Sequence, residues 1–198
     1  MTLRDTLIRP ARKKDAPALA KLINIAGEGI PLWLWQQSTG SEEDALSLGA
    51  ERAARDTGGF SYTNAYVAEL ESGPAAMLLG YRLPDPYDTG DLDEVPAVVR
   101  PLIELESLAP GSWYVNAIAT FDSARGRGLG SRLLELTHAL AGDTGASTLS
   151  LIVAGENQGA FRLYRREGYK PVATRPVVPF PGCHFGGDWI LMTCPVAA

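Results

Sequence analysis

Arg125-Gly126-Arg127-Gly128-Leu129-Gly130, followed at once by Ser131-Arg132-Leu133-Leu134-Glu135-Leu136, is the stretch from which the 198-residue chain is best read. Glycines at three alternate positions remove every Cβ from one side of a turn, so its backbone can approach a bulky ligand and present successive N–H groups to it. Leu129, Leu133, Leu136, Thr137 and Leu140 then recur at helical spacing, so the turn opens an amphipathic helix. The first N–H groups of that helix are unpaired, and its macrodipole places roughly half a positive charge there. With Arg125 and Arg127 beside it, this is a well-formed diphosphate site.

Working outward, Trp113 to Thr120 is rich in aromatic and β-branched residues, and Trp113, Val115, Ala117 and Ala119 alternate with Tyr114, Asn116, Ile118 and Thr120. That reads as a buried strand. The unit is therefore strand, glycine turn, helix, an outline that two families of phosphate binders share. A dinucleotide fingerprint needs its third glycine one residue later and an acid at the end of the next strand, yet Ser147 to Val153 ends without one. A Walker loop would need Gly-Lys-Ser/Thr, which is missing.

The pattern that fits is R-x-x-G-x-G, carried by Arg125, Gly128 and Gly130, and with it the sequence resembles the GNAT superfamily of acyl-CoA-dependent N-acetyltransferases. A second signature of that superfamily, N-x-x-A-x-x-L-Y-x-x-x-G-F/Y, is matched by Asn157-Gln158-Gly159-Ala160-Phe161-Arg162-Leu163-Tyr164-Arg165-Arg166-Glu167-Gly168-Tyr169. The resemblance covers about half the chain, from Trp113 to Tyr169.

The resemblance implies an α/β fold with a central mixed, mostly antiparallel sheet of six to seven strands. Its fourth and fifth strands are parallel and splayed, helices flank the sheet, and residues 1–198 form a single domain. It implies acetyl-CoA as acyl donor, with the diphosphate on Arg125, Gly126, Arg127, Gly128, Leu129, Gly130 and Ser131. The pantetheine amides would pair with the backbone of Ile118, Ala119 and Thr120, and Asn157 would touch the pantetheine arm. Tyr164, seven residues after Asn157 on the same helical face, would protonate the leaving thiolate, since a phenol keeps its proton at neutral pH. The base is less marked. Glu104 and Glu106 precede the strand at Trp113, and Glu106 is the first candidate, with a water relay beside it. Neither cysteine sits in a nucleophile setting, so direct transfer to a primary amine without an acyl-enzyme is expected. O-acyl transfer on the same fold, or a non-catalytic acyl-CoA sensor, stand as alternatives, and the acceptor and acyl-chain preference are open.

Composition agrees with a cytoplasmic enzyme. Hydrophobic residues make up 45%, enough for a core, and the net charge of −5 gives no reason to expect nucleic acid or an anionic membrane as partner. No apolar run approaches the ~18 residues a spanning helix needs. Arg4, Asp5, Arg9, Arg12, Lys13 and Lys14 break any leader pattern. Cys183 and Cys194 read as reduced thiols, and Cys183-His184 has no second Cys/His pair to complete a metal site, so no metal is expected. A homodimer is compatible with the Pro- and Gly-rich excursion from Pro176 to Gly187 but not required by it.

In chain order the remaining elements are a strand from Thr6 to Ala11 and a helix capped by Asp15 and ending near Gly27. After it comes the apolar Ile30-Pro31-Leu32-Trp33-Leu34-Trp35, whose tryptophans either line the acceptor side or, as burial usually decides, join the core. A helix capped by Ser41 follows, then strands Phe60 to Leu70 and Ala75 to Leu83 as a hairpin. Leu83 to Asp93 is a proline- and acid-rich loop expected at the cleft mouth, and the cluster Asp85, Asp88, Asp91, Asp93 and Glu94 either attracts a cationic acceptor or, as is usual for an acidic loop, is just solvated. Val95 to Leu108 has helical spacing that Pro101 should kink. Lys170 to Thr174 and Asp188 to Thr193 are the last strands.

Overall fold

Hydrophobic periodicity places most of the secondary structure in the computed structural model, which describes residues 6–197. Arg4 and Asp5, two of the charges that argue against a leader, lie outside the described residues. The chain divides into two units, one made of residues up to Gly80 with Ala117–Leu134, the other of Tyr81–Asn116 with residues from Glu135 onward.

In the first unit, β1 (Leu7–Pro10) pairs antiparallel with β2 (Ala65–Leu70), and β2 with β3 (Gly73–Arg82). Helix α1 (Ala16–Ala26) buries Ala16, Leu19, Ala20, Leu22 and Ile23 at i, i+3, i+4 and i+7, the spacing of one apolar stripe. Asp15 does not cap it as expected; its carboxylate is taken by Arg9 and by the Arg12 N–H. Residues 30–36, without regular structure in the sequence reading, form α2 (Ile30–Gln36). Pro31 lies in its first turn, where a missing N–H costs nothing. Trp35 is buried there, against Gly49 of α3 (Glu42–Ala53); a Cβ on Gly49 would come within 2.6 Å of the indole Cη2. Ser41 caps α3 by accepting from the Asp44 N–H at 3.1 Å. The strand expected from Phe60 starts only at Ala65. Buried Ser61 donates to the Arg55 carbonyl and accepts from the Thr63 N–H, closing residues 62–64 into a 3-10 turn instead.

The second unit carries α4 (Arg100–Glu106), β5 (Thr148–Ala154), α6 (Gln158–Arg166), β6 (Lys170–Pro176) and β7 (Asp188–Pro195). The helix expected over residues 95–108 shrinks to seven residues because Pro101 begins it rather than kinking it. Strand β3, whose Tyr81 and Arg82 belong to the second unit, strand β4 (Trp113–Thr120) and helix α5 (Leu129–Asp143) each have residues in both units. The sheet has seven strands in the order β1-β2-β3-β4-β5-β7-β6, and β5–β7 and β7–β6 are antiparallel. Its parallel pair is β4–β5, a ladder of three residues, Trp113 to Val115 opposite Leu149 to Leu151; beyond it β4 runs on to Thr120 and β5 to Ala154. This is the mixed, mostly antiparallel sheet expected. No helix among the described residues is long and apolar enough to cross a membrane.

A buried charge cluster ties β1 to its neighbours. Arg9, only 7% exposed, donates to Asp15 Oδ2 at 2.7 Å and Oδ1 at 3.1 Å, and to Glu69 Oε2 at 2.6 Å. Burial pushes the Asp15 carboxyl up, but the hydrogen bonds from Arg9 and the Arg12 N–H outweigh it and hold the group below the usual carboxylate range. Arg9→Met strands that carboxylate, and urea unfolding at pH 7 should show a loss of about 3 kcal/mol. Because the folded state binds the Asp15 proton more weakly than the unfolded chain, this contribution is complete above the ordinary carboxylate range. It fades as pH falls through the lower folded value, so acidification should close the gap between wild type and variant.

Candidate active site

The glycine turn lies in the first unit. After Thr120 the chain is held by Phe121, whose N–H donates to the Ala75 carbonyl at 2.9 Å, and makes a 3-10 turn over Asp122–Ala124. Gly126 and Gly128 then adopt φ of 75° and 70°, left-handed backbone that residues with a Cβ occupy at a cost. A Cβ on Gly126 would meet no other protein atom within 4 Å, so within the chain it is the backbone angle that favours glycine there. Leu129 is buried and starts α5, and the Arg132 N–H donates to the Gly128 carbonyl at 3.2 Å, the first α-helical bond. Residues 125–128 are exposed. Arg125 pairs with Asp122 on the surface at 2.9 Å, and Arg127 Nη2 lies 3.4 Å from the Ser123 carbonyl oxygen. Beside the turn, a cavity of about 310 Å³ is lined by Glu71, Ser72, Phe121, Ser123 and Arg127 among others.

In the second unit, Asn157 caps α6 by accepting from the Ala160 N–H at 3.1 Å, and Tyr164, two turns on, is buried 6.1 Å from the Tyr169 ring centroid. The two glutamates at the end of α4 separate clearly. Glu104 accepts from Arg175 Nε of β6 at 2.5 Å, a half-exposed ion pair. Glu106 instead faces phenols: Tyr87 donates to its Oε2 at 2.6 Å, and Tyr114 of β4 donates to it as well. Burial raises the Glu106 carboxyl, and the two phenols draw it only partly back. The charge in turn raises Tyr81, Tyr87 and Tyr114, each already raised by burial. Tyr81 lies edge-on to Tyr114 at 6.2 Å, and its hydroxyl accepts from Asn116 Nδ2 at 3.1 Å. Asn116 thus supports the phenol cluster through its amide.

The sequence reading picked out Glu106 but missed its three tyrosines. Tyr87 sits in residues 83–91, whose prolines and acids mask a single aromatic; a tyrosine amid Pro-Asp-Pro and Asp-Thr-Gly was the available signal. The acids around it serve their own turns. Asp88 and Asp91 accept from the N–H groups of Gly90 and Asp93, and Asp93 pairs with Arg100. Both cysteines are free, Cys183 donating to the Phe185 carbonyl and Cys194 buried; no cluster of three metal-ligating side chains occurs among the described residues.

A left-handed glycine turn between a strand and a helix, on a mixed sheet with one parallel pair, defines an α/β protein. The chain belongs to the acetyltransferase (GNAT) family, whose sequence signature matches residues 30–169, and acetyl-CoA-dependent acyl transfer is the activity of that family. Among solved structures it resembles an acetyltransferase crystal structure at 25% identity, covering 96% of this chain and 100% of that one with a TM-score of 0.67. It also resembles an N-acetyltransferase from Staphylococcus aureus Mu50 at 19% identity, 94% and 99% coverage and a TM-score of 0.63. A third likeness is yncA from Salmonella typhimurium, solved with its cofactor acetyl-CoA, at 16% identity, 98% and 95% coverage and a TM-score of 0.59. No curated protein matches the chain.

Proposed function

We propose that residues 1–198 act as one cytoplasmic catalytic domain that moves an acetyl group from acetyl-CoA directly to the primary amine of a small molecule or peptide. The observation that carries this reading is Glu106, a largely buried carboxylate met by phenols rather than by a cation, whose burial raises it above the ordinary glutamate range and so makes it a stronger base.

The backbone of residues 125–131 holds the diphosphate, the N–H groups from Gly126 through the α5 start supplying the donors while the Arg125 N–H closes the preceding turn on the Asp122 carbonyl. Ile118, Ala119 and Thr120 pair with the pantetheine as an added strand, and Asn157 contacts it in addition to capping α6. Glu106 takes the proton of the attacking amine as nitrogen bonds to the thioester carbon. The tetrahedral oxyanion then collapses, the carbon–sulfur bond breaks, and Tyr164 gives its phenolic proton to the departing thiolate. Neither thiol is needed as a nucleophile: Cys194 is buried, and its thiol lies 3.4 Å from the Pro195 carbonyl oxygen.

Calorimetric titration with acetyl-CoA, coupled to a free-thiol assay over amines, amino acids, short peptides and matched alcohols, tests the reading. Binding with thiol release on an amine is the expected result. Release only on alcohols would make the enzyme an O-acyltransferase. Binding without release on any acceptor would favour a sensor, and absence of binding would remove the glycine turn as the diphosphate site.

A further inference from the structure

Tyr87 is the one member of the phenol cluster that no regular element carries. Tyr81 lies in β3 and Tyr114 in β4, whereas Tyr87 comes from the irregular residues 83–91. That segment is nevertheless pinned at its base. Leu83 is buried and its N–H donates to the Ser112 carbonyl at 2.8 Å, while the Gly111 N–H donates to the Pro84 carbonyl at 3.1 Å. The next turn is closed on itself by Asp88, which accepts from the Gly90 N–H at 2.9 Å. A pinned base on one side and a self-closed turn on the other flank one tyrosine, whose phenol donates to Oε2 of Glu106 at 2.6 Å.

We propose that Tyr87 is a positioning residue for the base: by donating to Oε2 it fixes the rotamer of the Glu106 carboxylate and keeps that carboxylate ionised in a buried setting. The inference rests on Glu106 acting as the base, and adds how a largely buried glutamate remains one. A carboxylate on a short helix end has three rotatable bonds, and a base must be within hydrogen-bond reach of its proton, so an unfixed side chain loses rate through geometry alone. A hydrogen bond to the charged form also offsets the desolvation that favours the neutral acid, and a protonated Glu106 cannot accept the amine proton.

The groups facing Glu106 are few. They are Tyr87 from the loop, Tyr114 from β4 and Tyr81 from β3; from β6, Arg175 is bound to Glu104. Tyr114 also donates, but it is fully enclosed and its ring packs against Tyr81, so its removal would open the core. Tyr87 is half-buried and can be altered with less damage.

The test uses the intact protein, with the carbonyl-region NMR signal of the Glu106 side chain, assigned by its loss in Glu106→Gln, followed across pH in wild type and Tyr87→Phe. The midpoint should move to higher pH in Tyr87→Phe. Turnover at pH 7 with the best amine of the panel should fall about tenfold while the KM for acetyl-CoA stays put. Tyr81→Phe, which removes a hydroxyl that does not donate to Glu106, should leave the midpoint much closer to wild type. A midpoint unmoved in folded Tyr87→Phe, or full turnover in it, overturns the role of Tyr87 and leaves Glu106 standing as base. Full turnover in Glu106→Gln overturns the base and this proposal with it.

Discussion

Glu106→Gln should cut acetyl transfer by about a thousandfold while leaving acetyl-CoA affinity within a factor of about two, because removing a general base touches the transition state and not the ground-state grip on the donor. Glutamine keeps the size of the side chain and an oxygen that Tyr87 and Tyr114 can still donate to, so the fold has no reason to change. Two further measurements make the result specific. For wild type, kcat/KM should fall on acidification through a carboxyl group titrating above the ordinary glutamate range, since the base must be ionised; the variant should lack that limb. Stability should move the opposite way. A carboxyl raised by burial binds its proton more tightly in the folded state than in the unfolded chain, so wild-type stability declines as pH rises from the ordinary value through the raised one. Glutamine carries no such penalty, and Glu106→Gln should be at least as stable as wild type at pH 7 to 8 by thermal melting. A variant that is inactive but less stable at that pH would point to a structural glutamate. One that turns over within a factor of about three of wild type would exclude Glu106 as base.

How far the site could be read in advance depended on the kind of signal each part leaves. Helix α5 was legible because Leu129 and Leu133 hold one face of a repeating pattern that burial then enforces. Asn157 was legible as a cap because a short polar side chain before a helix has few other uses, and it does accept from the Ala160 N–H. Local chemistry with no period was not legible. Ser61 converts the start of an expected strand into a 3-10 turn through two hydrogen bonds of a single hydroxyl. Pro101 looks the same in a sequence whether it breaks a helix or begins one; only the backbone at residues 95–99 decides. Helix α2 is too short for a stripe, and its apolar residues fit a helix or a strand equally. The separation of Glu104 from Glu106 needed partners 71 and 19 residues away in sequence, Arg175 and Tyr87, which no local window contains.

Gly128→Glu should raise the Kd for acetyl-CoA by more than about a hundredfold, and the reason divides into two parts that can be measured apart. The first is conformational. At φ 70° a residue with a Cβ costs about 1 to 2 kcal/mol, and the turn would relieve that strain by shifting the N–H groups it now presents at the start of α5. The second is electrostatic. A carboxylate at the mouth of an anion site repels the diphosphate and competes with it for the same donors and the same helix dipole. Gly128→Asn isolates the first part, since asparagine tolerates left-handed backbone and brings no charge, and it should weaken binding severalfold at most. Gly128→Gln adds the length without the charge and should fall between the two. Raising salt should recover part of the affinity of Gly128→Glu and little of Gly128→Gln, because only the charge term is screened. Calorimetry at two ionic strengths, with circular dichroism to verify folding, reads all of this. The turn is exposed and α5 keeps its buried leucines in each variant, so the fold should survive. Undiminished affinity in a folded Gly128→Glu protein would mean that the donor's diphosphate binds elsewhere, however well the turn is shaped for it.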